Sequence, residues 1–307
     1  MIDFSGVARA ARSARTGLAA MALSAVSTAA MAAEGVIGHA VPGQMKLIEG
    51  ETPIAREIDF FHNDILLPII IIISLFVLAL LIYVMYRFSE KRNPVPSRTT
   101  HHALLEVAWT IIPVLILVVI AVPSFRLLTH QLTLPKGDLT VKVTGKQWYW
   151  SYDYPKDQGG GFGFDSLMKD EKDLKPGDLR LLAVDNEAVV PVNKVVRVQV
   201  TAADVIHSFV IQSFGIRIDA VPGRLNETWF KAEKEGVYYG QCSKLCGKDH
   251  AFMPIVVRAV SEEEFAAWLE KAKEQFASSP APVKVAGPKL VPAEDAPQEF
   301  AVIGLTR

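Results

Sequence analysis

Gly240-Gln-Cys-Ser-Lys-Leu-Cys-Gly-Lys-Asp-His-Ala-Phe-Met-Pro254 sets Cys242, Cys246, His250 and Met253 at successive spacings of four, four and three residues. Two thiols, an imidazole and a thioether are the soft and borderline donors that copper prefers. At those spacings the four side chains would also share one face of an α-helix and could be ordinary core residues. Gly240, Gly247 and Pro254 punctuate any such helix, and apolar strand-like runs flank the segment, so the expectation is a loop between two strands. A Cys242–Cys246 disulfide, which an oxidising compartment would favour, has no use for His250 or Met253. Zinc would take the cysteines and histidines but has little use for the thioether. Copper is therefore the expected occupant, with the distant His207 as a further donor. A mononuclear blue copper site needs one cysteine; a second one four residues later suits two thiolates bridging two copper ions.

Outward from this loop the sequence reads as β-structure. Residues 139–154 and 194–201 alternate apolar and polar positions, and 209–218, 226–232, 236–241 and 255–260 are short strand-like runs separated by Gly, Pro, Asn or Asp. Many short strands at this spacing indicate a sandwich or barrel. Alternation through 139–154 predicts Trp148, Trp150, Tyr152 and Tyr154 on one face of a strand and Tyr149 on the other. Ser261 followed by Glu264 is a capping box for an amphipathic helix over 261–277, with Phe265, Trp268 and Leu269 on one side. The Pro- and Ala-rich residues 278–307 read as a flexible tail.

The chain has 307 residues, 50% of them apolar, and the apolar excess is concentrated upstream of the β region. Runs 65–86 and 107–125 carry no charge, and at ~1.5 Å per residue either crosses a hydrocarbon core of roughly 30 Å. Transmembrane helices are expected over 63–88 and 103–128. The first 32 residues, with Arg9, Arg12 and Arg15 before a weakly apolar stretch and Ala30-Met31-Ala32, read as a secretory signal. Export puts 33–62 outside and the connector 89–102 inside, where Lys91, Arg92 and Arg98 face only Glu90. The domain over 129–260 then stands on the periplasmic side of a bacterial inner membrane. A formal net charge of -1 provides no bulk field for nucleic acid. A two-helix hairpin bearing a large outer domain suggests a subunit of a larger assembly.

Further motifs extend the pattern: Lys146-Gln-Trp-Tyr-Trp-Ser-Tyr-Asp-Tyr154, Phe164-Asp-Ser166, Leu174-Lys-Pro-Gly177, Val184-Asp-Asn186, Asp204-Val-Ile-His-Ser208 and Asp219-Ala-Val-Pro-Gly-Arg-Leu-Asn226. In this order, and with the hairpin, they resemble the aa3-type cytochrome c oxidase subunit II family over about residues 50 to 270. The resemblance implies a two-helix transmembrane hairpin followed by a cupredoxin-type Greek-key β-barrel. It also implies a dinuclear copper A centre that takes electrons from cytochrome c and passes them to haem in subunit I, beside subunit III, for oxygen reduction coupled to proton pumping. Oxygen chemistry would belong to subunit I, not to this chain.

Carried over by position, Cys242 and Cys246 would bridge two copper ions and His207 and His250 would each cap one. Met253 would be a weak axial ligand, and the backbone carbonyl of Lys244 the remaining one. Trp148 would take the electron from the docked cytochrome, Asp153, Asp165, Asp185 and Asp204 would form its acidic dock, and Glu106 would stand at a proton-path mouth. Two departures stand out. The family usually has a glutamate at Lys244 that also binds magnesium or manganese, and a protonated lysine cannot ligate a hard cation; Lys156 replaces an acid of the dock. A copper chaperone would need exposed, exchangeable ligands and has no use for Trp148. The quinol-oxidase relatives lack the copper ligands, and the propeller of nitrous oxide reductase would not fit in this length.

Overall fold

In the computed structural model, which describes residues 38–276, the first regular element starts at Pro53, capped by Thr52. The expected signal over 1–32 and tail over 278–307 lie outside the described residues. Thr52 is extended; its Oγ1 accepts from the Ala55 amide at 3.1 Å and donates to the Phe214 carbonyl at 2.8 Å, capping the helix and tying it to the β domain. Pro53 takes the first-turn position, where no N–H is needed. Helix α1 (Pro53–Arg87) continues through one π-type stretch, Phe61–Leu66, into the charge-free run. It begins ten residues before hydropathy alone suggested, because its first turn buries Ile54 and Ala55, with Ala55 against Gly215 of the β domain. Helix α2 (Ala103–Leu132) runs through Pro113 and Pro123 and ends four residues past the expected boundary. The large side chains along both helices, among them Ile72, Phe76, Leu117 and Phe125, point outward. Such a surface suits hydrocarbon rather than water, and the chain is a membrane protein with an extramembrane domain.

That domain packs two five-stranded sheets face to face. The first holds β1 (Leu139–Lys146), β2 (Tyr149–Tyr154), β3 (Phe162–Ser166), β5 (Val196–Ala202) and β8 (Asn226–Phe230), in the order β3-β2-β1-β5-β8. The second holds β4 (Ala188–Pro191), β6 (His207–Ile211), β7 (Ile216–Ala220), β9 (Gly236–Gln241) and β10 (Pro254–Val260), in the order β4-β10-β9-β6-β7. Each sheet contains one parallel pair, β1–β5 in the first and β4–β10 in the second, and the two sheets form a cupredoxin-like sandwich. Val143, Trp150, Tyr152 and Phe164 of the first sheet and Phe209, Ile211, Tyr238 and Ile255 of the second fill the core. Helix α3 (Glu262–Phe276) closes one side, where Trp268 meets the Tyr154 ring edge-on at 5.1 Å and Phe276 stacks on Phe164 at 4.8 Å. The Ser261 hydroxyl accepts from the Glu264 amide at 3.1 Å, the serine half of the expected capping box, while the Glu264 carboxylate takes Arg258 at 2.7 Å instead of returning to the Ser261 amide.

Two expected strands divide. Residues 139–154 turn at Gln147 and Trp148 into the antiparallel pair β1–β2. Trp148 thereby leaves the face it was expected to share with Trp150, Tyr152 and Tyr154, which are buried, and sits half-buried at the sheet end. Residues 209–218 break at a tight turn, Gln212–Phe214, closed by Gly215 at φ +67°. Only a residue tolerant of the left-handed region completes such a turn without strain.

Candidate metal centre

The cysteine-bearing segment connects β9 to β10 as a loop with one short turn, His250–Phe252. Gln241 ends β9, so Cys242 emerges directly from the sheet; Met253 immediately precedes Pro254, where β10 begins. Pairing of Pro254 with Gln241 holds the two ends of the loop together. His207 opens β6 beneath it and is completely buried. Thus two sequence-distant segments converge on one end of the sandwich.

Donor atoms of His207, Cys242 and Cys246 lie within 4.8 Å of one another. The two sulfurs are 3.9 Å apart, and Cys246 Sγ is 3.5 Å from both His250 Nδ1 and Met253 Sδ. Cys242 Sγ faces the Lys244 carbonyl oxygen at 3.3 Å. All of the sequence-derived ligand candidates therefore belong to one cluster. Cys242, Cys246, Met253 and His207 are buried, whereas His250 is half-buried and closes the outer side.

The two thiols have different acidity. Burial pushes the Cys242 thiol up, but the nearby His207 imidazole and hydrogen bonds with the backbone at Ser208 and Lys244 and with Cys246 outweigh it and bring it down to about 7. Burial and then the charge on Cys242 push Cys246 up to about 12. One thiolate is thus available near neutrality and the second awaits a positive charge, a metal ion being the usual source. Burial lowers His207, while Cys242 and Asp204 raise it by a larger margin.

The donor set fits copper by a further observation. His207 Nε2 lies 2.9 Å from Asp204 Oδ1, whereas His207 Nδ1 is buried without a hydrogen-bond partner. A buried polar atom left unpaired costs about 1–3 kcal/mol. A metal ion bound there would satisfy it, and the Asp204 carboxylate would hold the other nitrogen protonated. Close packing permits this only because residue 145 is glycine: a Cβ on Gly145 would meet His207 Cδ2 at 2.9 Å.

Trp148 lies against the same loop. Its indole Nε1 donates to the Cys246 carbonyl at 3.3 Å, and Gln147 Nε2 donates to that oxygen at 2.8 Å. Gly247, at φ +131°, lets the loop approach: a Cβ there would lie 2.8 Å from Trp148 Cζ2. Lys248 Nζ stands 5.9 Å from the centre of the Trp148 ring. Trp150, the second residue of β2, is buried and donates to the Met253 carbonyl at 3.2 Å.

The four candidate dock acids occupy different settings. Asp165 is exposed, 3.4 Å from Lys146 Nζ and hydrogen-bonded to Ser151. Asp185 accepts from the Leu167 and Asn186 amides at 2.7 Å each, as a turn cap. Asp153 is half-buried on β2, and burial raises its carboxyl against Lys142 and Lys146. Asp204 accepts from the Gln147 amide at 2.7 Å and the Val205 amide at 2.6 Å in addition to its contact with His207. Lys244 Nζ is 3.7 Å from Asp219 Oδ2, and Lys156 is exposed. Glu106 lies far away in the first turn of α2, accepting from the His102 amide at 3.1 Å.

A buried thiol–imidazole–thioether cluster at one end of a two-sheet sandwich, carried by an apolar helical hairpin, defines a membrane-anchored cupredoxin-like protein. Residues 139–260 match the family described as cytochrome c oxidase subunit II, periplasmic domain, and residues 40–127 match its transmembrane domain. A Rickettsia bellii protein named probable cytochrome c oxidase subunit 2 is 52% identical over 229 residues, 75% of this chain and 84% of that protein. The Cereibacter sphaeroides cytochrome c oxidase subunit 2 is 48% identical over 253 residues, 78% of this chain and 83% of its own. The crystallised periplasmic domain of subunit II of cytochrome oxidase from Bradyrhizobium japonicum is 66% identical, covering 47% of this chain and 99% of that one with a TM-score of 0.44. The chain belongs to the cytochrome c oxidase subunit II family, and with it to a haem–copper oxidase complex.

Proposed function

We propose that this chain accepts electrons one at a time from reduced cytochrome c and delivers them to haem in subunit I, in a bacterial inner-membrane complex that also contains subunit III. Oxygen reduction and proton pumping occur in the larger assembly. The observation that carries this reading is the convergence of His207, Cys242, Cys246, His250 and Met253 directly beneath Trp148. When bound there, a pair of copper ions would supply a one-electron centre whose change in bonding is spread over two metals.

The chain's own residues account for the remainder. Cys242 and Cys246 would hold the metal through their buried thiolates, His207 and His250 would supply imidazole, and Met253 and the Lys244 carbonyl would complete the donor set. Trp148 presents a half-buried aromatic surface whose N–H is bonded to a ligand's own carbonyl, a short route from the surface to the loop. Asp153, Asp165 and Asp185 give a carrier with a lysine-rich face something to steer toward, opposed by Lys156 and Lys248. The ammonium of Lys244 beside Asp219 does not fit a magnesium or manganese ion at that corner. Glu106, in the first turn of α2, would admit protons toward subunit I.

The test is Trp148→Gln in the assembled complex. Electron intake from reduced cytochrome c falls sharply while the optical copper bands stay as in wild type. An unchanged rate removes Trp148 from the route.

A further inference from the structure

Asp204 is one of the four acids that resemblance assigns to the dock and is exposed, yet both of its oxygens are engaged by groups of this chain. Oδ1 meets His207 Nε2 at 2.9 Å and the Val205 amide at 2.6 Å; Oδ2 accepts from the Gln147 amide at 2.7 Å. Gln147 is the residue before Trp148, and the side chains of both donate to the Cys246 carbonyl, at 2.8 and 3.3 Å. These contacts form a continuous path of hydrogen bonds and chain: His207, Asp204, the Gln147–Trp148 turn, Cys246. It links a candidate ligand on β6 to another on the β9–β10 loop through the turn that carries the aromatic surface residue. No other acid in the candidate dock touches a ligand.

We infer that Asp204 is a positioning residue, which fixes the orientation of His207 and, with the same carboxylate, the turn that holds Trp148 against the metal loop. This inference rests on the proposed copper-centre function. Two physical consequences follow. A carboxylate accepting the Nε2 proton leaves the Nδ1 lone pair free to face the cluster and makes the imidazole a stronger donor. The Oδ2 contact fixes the Gln147 amide, so movement of the carboxylate moves the Trp148 turn as well. Electron intake and the electronic character of the centre are coupled through one side chain.

A dock role and a positioning role separate cleanly in two variants of the full complex. Asp204→Asn keeps the shape and removes the charge; Asp204→Glu keeps the charge and displaces the carboxylate by one methylene. Positioning predicts that both variants alter the copper absorption and electron spin resonance spectra and raise the reduction potential in Asp204→Asn. It also predicts copper affinity about 10–100-fold weaker, the usual cost of losing a ligand's supporting partner. Intake of electrons from a small neutral reductant slows alongside that from cytochrome c, and the salt dependence in Asp204→Glu matches wild type. A dock role predicts wild-type spectra, potential and affinity in both variants, with only the salt dependence of the cytochrome reaction changed in Asp204→Asn, and that result overturns the inference. Wild-type protein whose spectrum reports a single isolated copper overturns the copper reading itself, and the inference with it. If Asp204→Asn does not accumulate as folded protein, Asp204→Glu alone decides: wild-type spectra refute positioning, shifted spectra support it.

Discussion

Replacing Gly145 by alanine adds one methyl group at the point where β1 passes His207. That carbon would lie 2.9 Å from His207 Cδ2, 3.0 Å from Cγ and 3.1 Å from Cβ, two contacts with the ring and one with the carbon that bears it. Ordinary carbon–carbon contact lies at ~3.5–4.0 Å, so the ring, the strand or both must yield by roughly 0.5 Å or more. His207 is completely buried, with Trp150 5.9 Å from it ring to ring, which leaves it little room to retreat. Overpacking of this kind costs about 1–3 kcal/mol. The required shift also equals the ~0.5 Å within which a metal constellation must be held. Gly145→Ala is therefore expected to lower the thermal midpoint of the β domain, weaken copper binding and broaden the spectrum of the centre. The assay is copper titration of the detergent-solubilised full chain, followed optically, beside thermal unfolding of the metal-free protein. Wild-type stability together with wild-type copper affinity would refute the claim that His207 is seated against the bare backbone of β1.

Two more perturbations probe the fold and the proton route. Asp178 accepts from the Lys175 amide and from Lys169 Nζ, both at 2.9 Å, and these bonds hold its carboxyl below the ordinary 3.8. A depressed folded-state pKa gives stability that is present above the unfolded value and lost as pH falls through the folded one. Asp178→Asn should thus lower the unfolding midpoint at pH 7 and have a progressively smaller effect below about pH 4; an equal deficit at both pH values would count against the pairing. Glu106→Ala should slow oxygen-linked haem turnover in the complex while electron intake stays normal, with about 1 kcal/mol of helix stability lost with the His102 cap. Unaltered turnover would dismiss the proton role.

The parts legible in the sequence were those whose signal is local. The copper-type loop announces itself because glycine and proline bracket donor residues at short spacing, and Ser261 with Glu264 marks α3 because a cap and the amide it accepts from lie three residues apart. Hydropathy located both membrane helices but not the start of α1, since Thr52, Pro53 and the buried Ile54–Ala55 pair are set by contact with the β domain rather than with lipid. The alternation through 139–154 continued across the turn at Gln147 and Trp148, so periodicity could not reveal the break that brings Trp148 to the metal loop. The short strands β3 and β4 were missed for a related reason: Phe162 to Ser166 and Ala188 to Pro191 are stabilised by neighbours distant in sequence. Asp204 shows the same limit at the site. The Asp-x-x-His spacing was visible, yet its meaning depends on Gln147, which only the fold brings within 2.7 Å.

Electron spin resonance of the copper-loaded full chain tests the central claim most directly. Cys242, Cys246, His207, His250 and Met253 acting as one site predict two copper ions per chain and a spectrum in which one unpaired electron is shared equally by two copper nuclei. One copper per chain with the four-line pattern of a single nucleus would contradict it.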